Sequence, residues 1–362
     1  MNNRLISIDV FRGVTIAFMI LVNTPGSWAY VYPPFKHASW HGCTLTDLVF
    51  PFFIFAVGLS MALSLNNNNV SKPNQLKKIL KRTINIFAIG LLLNWFPFYY
   101  KNIFDIRFFG VLQRIALSYG LAALLVIILQ KPKVILATII IILIGYYKYL
   151  SSMGDFTLEG NINSQLDALF LPTKNIYGGF GVKFDPEGLL GVIPSSMQVL
   201  IGYLAGQTLI KYKTNLKQLL KISIITGVLL IILAICYLSH YFPINKPLWT
   251  SSYVVYTSGI ALIFLSVIIY ITDIKKYSKW AFPFQVFGRN ALFTFVLSGL
   301  IVKALIYIFK FGDTNGYNYI FKNIYQPIFG NYLGSLMFAI SFVVILYLVA
   351  LRLYNKNIII KL

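Results

Sequence analysis

Two histidines four residues apart, His37 and His41, stand just before Asp47, and Asp47 leads directly into an uncharged apolar run that continues to Ser60. Histidine is the side chain whose ordinary pKa lies nearest neutrality, so this stretch suits proton transfer at the lip of a membrane helix. Asp47 or Glu187 would orient an imidazole there, and the Asn23 amide or the Trp40 indole N–H would stabilise a developing oxyanion. Asp47 also fits a helix cap, and Glu187 a first-turn charge behind Pro186. A metal reading of His37, His41, Cys43 and Asp47 is disfavoured, because Pro33, Pro34 and Gly42 interrupt the helix that the His spacing would need.

The elements that position these groups are transmembrane helices. Hydrophobic residues make up 58% of the 362 and charged residues only 11%, with a mean hydropathy of +0.74. A soluble protein of this length has no core large enough to bury that much apolar surface. Spans are expected near 7–23, 47–65, 80–97, 108–129, 133–150, 188–210, 218–240, 250–271, 285–309 and 332–353, with breaks at the Asn66–Asn69 run, Pro97, Pro132, Pro247 and Pro283. The expected fold is all-α, a polytopic membrane protein of about ten crossing helices forming one domain over 1–362. The first apolar stretch carries Asp9 and Arg12 and has no small-residue cleavage site, so it reads as a retained helix rather than a signal peptide. Two cysteines, Cys43 and Cys236, form no disulfide framework.

The net charge of +21 sits in short loops between apolar runs, which argues for membrane orientation and against nucleic acid. Lys72–Arg82, Lys131 and Lys133, Lys211–Lys217, Lys275–Lys279 and Arg352–Lys361 alternate with loops holding only Lys36, Lys101 and Arg107, or Lys246. Both termini are therefore expected in the cytoplasm, with loops 24–46 and 151–187 on the outer face. Outer aromatics such as Trp28, Trp40 and Tyr177 read as interfacial anchors or as a platform for a sugar's C–H face, and Gly178–Gly181 as a turn.

Charges inside spans need a reason. Asp9 and Arg12 can pair at i, i+3. Arg114 suits either a structural ion pair or bidentate recognition of a phosphate or carboxylate. Lys303 has a stem long enough to snorkel.

Arg4–Gly13 (RLISIDVFRG), Met19–Asn23, Lys36–Trp40, Thr46–Pro51, Gly110–Arg114, Phe184–Gly188, Asn245–Trp249 and Gly288–Asn290 together resemble the heparan-α-glucosaminide N-acetyltransferase family, in order and over nearly the whole chain. The resemblance is to the shorter bacterial branch, without the luminal N-terminal domain. It implies a multi-pass protein of the bacterial inner membrane that moves an acetyl group from cytoplasmic acetyl-CoA to the amino group of a glucosamine-type sugar or glycan on the far side. It makes His37 the catalytic base or nucleophile, places Asn23 and Glu187 near the reacting centre, and leaves His41 dispensable, since animal members carry asparagine there. The phosphates of the coenzyme account for cations within spans, and the cofactor-binding set is read as Arg12, Arg114, Trp40, Arg289 and Asn290. The lipid bilayer is the expected environment, a homodimer is left open, and no metal is expected. The rival classes are a sugar or amino-sugar permease, against which the lack of an internal repeat counts, and an inactive scaffold subunit.

Overall fold

A computed structural model describes residues 5–65, 71–100 and 102–360. Arg4, the Asn66–Asn69 break, Lys101 and Lys361 lie outside the described residues. The described chain is a helical bundle, and its one small sheet pairs Lys310–Phe311 with Thr314–Asn315.

Among the described residues, eight helices are long and apolar enough to cross a membrane. They are α1 (Ile6–Asn23), α2 (Leu45–Leu65), α4 (Val111–Leu129), α5 (Pro132–Met153), α8 (Leu216–Tyr241), α9 (Ser251–Ile274), α11 (Ala291–Ile308) and α12 (Asn331–Asn355). Between them lie α3 (Lys72–Trp95), the short α6 (Ile162–Phe170), α7 (Val192–Tyr212) and α10 (Phe282–Arg289). Two of the ten expected spans thus fall on α3 and α7, which are long enough at 24 and 21 residues but less apolar.

Each has a physical reason for its polarity. The first half of α3 carries Lys72, Lys77, Lys78, Lys81 and Arg82. Helix α7 is interior and faces protein rather than lipid, so it can hold polar side chains that pair with neighbours. Gln198 donates to the Thr257 hydroxyl at 2.9 Å, and the Ser195 and Ser118 hydroxyls meet at 2.6 Å. Small residues let α7 lie directly against α2. A side chain at Gly58 would collide with the Val199 carbonyl, and one at Gly202 with the Phe55 carbonyl. The expected span 285–309 is broken, because the backbone turns at Asn290 between α10 and α11.

The bundle has two distinct ends. At one, the amides of Ile6 and Ser7 donate to the Asp273 carboxylate at 3.2 and 3.3 Å, which caps the start of α1. At that same end Asn290 donates to Ile358 O at 2.9 Å and accepts from Ile360 N at 2.9 Å, fastening the last described residues. At the other end the segments 24–44, 102–110, 154–191 and 242–250 knit together. Gly42 N donates to Ile244 O, Trp40 to Phe156 O, and Phe108 N to Asn175 O. Lys303 does not snorkel out. Its ammonium donates to Leu93 O (2.6 Å) and Asn94 O (3.1 Å), satisfying the last carbonyls of α3.

Candidate active site

The knitted end encloses a cavity of about 360 Å³, within the range of small-molecule sites. His37, Asp47, Trp40 and Glu187 all line it, joined by Arg107, Tyr177, Lys246 and Trp249.

Asp47 organises the loop that carries His37. It sits in the first turn of α2, nearly buried, and its Oδ2 accepts from the amides of Ala38 (2.9 Å) and Thr44 (3.1 Å) and lies 3.0 Å from the Thr44 hydroxyl. Its Oδ1 lies 2.6 Å from His37 Nδ1. Its backbone carbonyl accepts from the Tyr253 hydroxyl at 2.5 Å, which ties this turn to α9. A carboxylate at that distance places the imidazole proton on Nδ1 and leaves Nε2 with its lone pair. The ring is 44% exposed and the carboxylate 2%, so the pair combines a buried anchor with an accessible imidazole. The Lys246 ammonium lies 3.3 Å from Asp47 Oδ1 and 3.2 Å from His37 Nδ1.

The opposite side of the cavity is built by Arg107. It makes a two-pronged contact with Asp185, Nε to Oδ2 at 2.9 Å and Nη2 to Oδ1 at 2.5 Å, and a further hydrogen bond to Glu187. Its guanidinium lies 4.5 Å from the centre of the Tyr177 ring. Burial opposes the charge of Arg107, but Glu187 and Asp185 outweigh it and hold its pKa above the ordinary value. Nearby, burial pushes the Cys43 thiol up to about 12, with Asp47 adding and Lys246 opposing. Cys43 therefore stays a neutral thiol near pH 7, outside nucleophilic chemistry.

Several expected site residues take other places. The Trp40 N–H is committed to Phe156 O at 2.7 Å, so the indole is not the oxyanion donor; its ring packs edge-on against Phe184. The imidazole of His37 is oriented by Asp47, whereas Glu187 serves Arg107. His41 turns to Asn245, whose Nδ2 lies 3.3 Å from its Nδ1, and burial lowers its pKa. Asn23 is exposed on the last turn of α1 and is not part of the cavity lining. Arg114, at 1% exposure, lies behind the wall. It donates to Gly188 O at 2.8 Å, and its guanidinium lies 5.2 Å from the centre of the Trp249 ring. Among the described residues its Nε and Nη1 have no hydrogen-bond partner, and Glu187, Asp185 and Asp167 act on it at longer range.

Arg12 pairs with Asp9 at 3.8 Å and lines a second cavity of about 190 Å³ with Arg82 and Ser60. Both cavities run along α2 and α4, with Asp47 and Val111 lining the first and Ser60 and Tyr119 the second. Arg289 and Asn290 belong to neither. Arg289 lies 5.0 Å from the Tyr354 ring centre, and Asn290 fastens the C-terminal segment.

Lys246 and Arg107 are the residues that the loop charges alone did not single out, since both were read only as sparse outer cations. For Lys246 a signal existed in Asn245–Trp249, a stretch already marked by resemblance.

A family model described as "Heparan-alpha-glucosaminide N-acetyltransferase, catalytic" matches residues 4–241. The human protein named heparan-alpha-glucosaminide N-acetyltransferase is 30% identical over 354 residues, covering 81% of this chain and 52% of that protein. The mouse protein of the same name is 28% identical over 384 residues, covering 89% of this chain and 57% of that protein. The chain spans about half the length of these curated relatives. On the extent of the match and its order along the chain, this multi-pass helical membrane protein belongs to the heparan-alpha-glucosaminide N-acetyltransferase family.

Proposed function

We propose that the chain is one transmembrane acyltransferase domain that moves an acetyl group from acetyl-CoA to the amino group of a glucosamine-type sugar, with His37 as the general base. The observation that carries this reading is the Asp47–His37 pair, anchored at 2.6 Å and presenting Nε2 at the edge of the cavity. The neutral amine attacks the thioester carbonyl, a C–N bond forms, and the carbonyl oxygen becomes an oxyanion. His37 Nε2 takes the amine proton as the C–S bond breaks, and the proton passes to the departing thiolate, giving the acetamide and CoA. With the Trp40 N–H already committed and Arg107 held by Asp185 and Glu187, the Lys246 ammonium, beside His37, is the cavity cation that would oppose the oxyanion. A two-step route through an acetylated His37 uses the same groups.

The resemblance and the loop charges support an orientation with the His37 cavity on the outer face of a bacterial inner membrane and both termini in the cytoplasm. In that orientation Arg12 and Arg82 face the cytoplasmic side and would receive the coenzyme's phosphates. Thirteen residues of α2 separate Asp47 from Ser60, roughly 20 Å of helix. The pantetheine arm is an extended chain suited to bridging such a gap. The permease reading gains nothing from the family.

The test is release of CoA from acetyl-CoA by the purified protein in nanodiscs, with and without glucosamine. Release that depends on the amine supports the transfer. Concentrative uptake of the sugar into acetyl-CoA-free proteoliposomes, with no release, would return the permease.

A further inference from the structure

A groove of about 720 Å³, lined almost entirely by apolar atoms, lies beside the His37 cavity at the same end of the bundle. Its floor is the last turns of α3, with Ala88, Leu91, Leu92 and Trp95, and its far wall comes from the loops on either side of Ile106 and Asn175. The two sites share a wall. Ile106 and Phe108 line the groove, while Arg107 between them lines the cavity. Asn175 lines the groove, while Tyr177, two residues on, lines the cavity. These segments are fastened to each other, since Phe108 N donates to Asn175 O at 3.1 Å and Asn175 Nδ2 donates to Ile106 O at 2.7 Å. The partition is therefore one layer of backbone thick.

The rest of the groove has the character of a lipid-facing interface. Exposed Phe104 lines it, and exposed Phe98 packs edge-on against the groove's Trp95 with ring centres 4.8 Å apart, aromatic residues of the kind found at the headgroup level. Its polar lip is the exposed ion pair of Lys174 and Asp105, at 2.6 Å. The volume falls within the range of built ligand sites, and a hydrocarbon chain is the chemistry that matches so apolar a lining.

We propose that the acceptor is a membrane-held amphiphile, an amino sugar linked to a long hydrocarbon tail, with the tail in this groove and the sugar in the His37 cavity. This deepens the transferase reading and rests on it for the identity of the head. Because the tail comes from the bilayer rather than from water, its contribution is positional: it holds the amine at the cavity mouth and raises its effective concentration. The bonds made and broken are those of the acetyl transfer above, and the tail takes no part in them.

The experiment compares methyl glucosaminide with decyl glucosaminide as acceptors, in nanodiscs, for wild type, Ala88→Trp and Leu136→Trp. Ala88 is exposed on the groove floor, so the indole fills the groove without entering the core, and Leu136 is a lipid-facing control on α5. Wild type and Leu136→Trp should prefer the decyl acceptor by at least about tenfold in kcat/KM, a margin that tethering the amine at the cavity mouth supplies. Ala88→Trp should abolish that preference while leaving methyl glucosaminide unchanged. Equal kcat/KM for the two acceptors in wild type, or a preference untouched by Ala88→Trp, overturns the proposal.

A second measurement needs no turnover. A decyl glucosaminide with a diazirine at its tail end should label residues of 88–95 and 103–108, and unlabelled decyl glucosaminide should compete where excess bilayer lipid does not. Labelling spread over all lipid-facing helices would show a groove filled by bulk lipid and sink the proposal. Focused labelling with no acetyl transfer to either acceptor would keep the groove and sink the transferase reading instead.

Discussion

Asp47 Oδ1 lies 2.6 Å from His37 Nδ1, while the same carboxylate accepts two amides of the loop that carries the ring. One buried side chain thus sets both the position and the tautomer of the exposed one. His37→Ala should lower turnover by about 10²–10⁴, the usual worth of a general base. Asp47→Asn should cost at least about 10², because an amide can present its N–H to Nδ1 and turn the ring's lone pair inward. His41→Asn should keep most activity. CoA release at saturating acetyl-CoA measures all three, and a dead His41→Asn beside an active His37→Ala would reverse the assignment.

Lys246 stands beside both members of that pair. If its charge opposes the oxyanion, Lys246→Met should lower kcat by about 10²–10³ with little change in the KM for acetyl-CoA. Lys246→Arg should recover part of the loss. Steady-state kinetics separates this from a purely structural role, in which charge-retaining and charge-deleting variants would fail together through loss of folded protein.

Asp167, on the short helix α6, has its pKa raised to about 6 by burial, with Asp185 adding. A raised folded-state pKa means that the fold prefers the protonated acid. Its contribution is complete below the ordinary carboxylate range near 4 and is lost as pH rises to about 6. Asp167→Asn keeps an oxygen for the Leu189 amide, bonded at 2.9 Å, and removes the charge. The variant should melt a few degrees above wild type at pH 7 and coincide with it near pH 4. Thermal melts at the two pH values decide it.

Orientation is open to direct labelling. In a background with Cys43→Ser and Cys236→Ser, a cysteine at Glu159 should react with an impermeant thiol reagent in intact cells, and one at Lys276 should not. Both positions are exposed in the fold, so reagent access depends on the side of the membrane. The opposite pattern would invert the protein in the bilayer.

Short-range features were legible in the sequence. The Asp9–Arg12 pair follows from helical spacing, and the Asp47 to His37 approach spans only ten residues. Arg107, by contrast, meets Asp185 and Glu187 across 78 and 80 residues, and Lys246 reaches Asp47 across 199. Such pairings depend on which helix ends become neighbours, and hydropathy says nothing of that. The same cause explains Trp40: its residue type permitted an N–H donor to an oxyanion, but in the fold that N–H donates to the Phe156 carbonyl. Helix α7 shows the complementary effect, where polar side chains lowered its apolarity because its partners are protein rather than lipid.

The cap on α1 sets an order for biogenesis. Helix α1 has its leading amides satisfied by Asp273, 267 residues later in the chain than Ile6. At ordinary translation rates that carboxylate arrives roughly 10–50 s later. Until then the positive end of α1 relies on water and headgroups, so its seat beside α9 is taken late. The last described residues are locked by Asn290 at that same end. A chain stalled or cut before residue 273 would therefore have the segments that build the His37 end through 250 made, yet keep an unfastened start of α1 that quality-control proteases can grip.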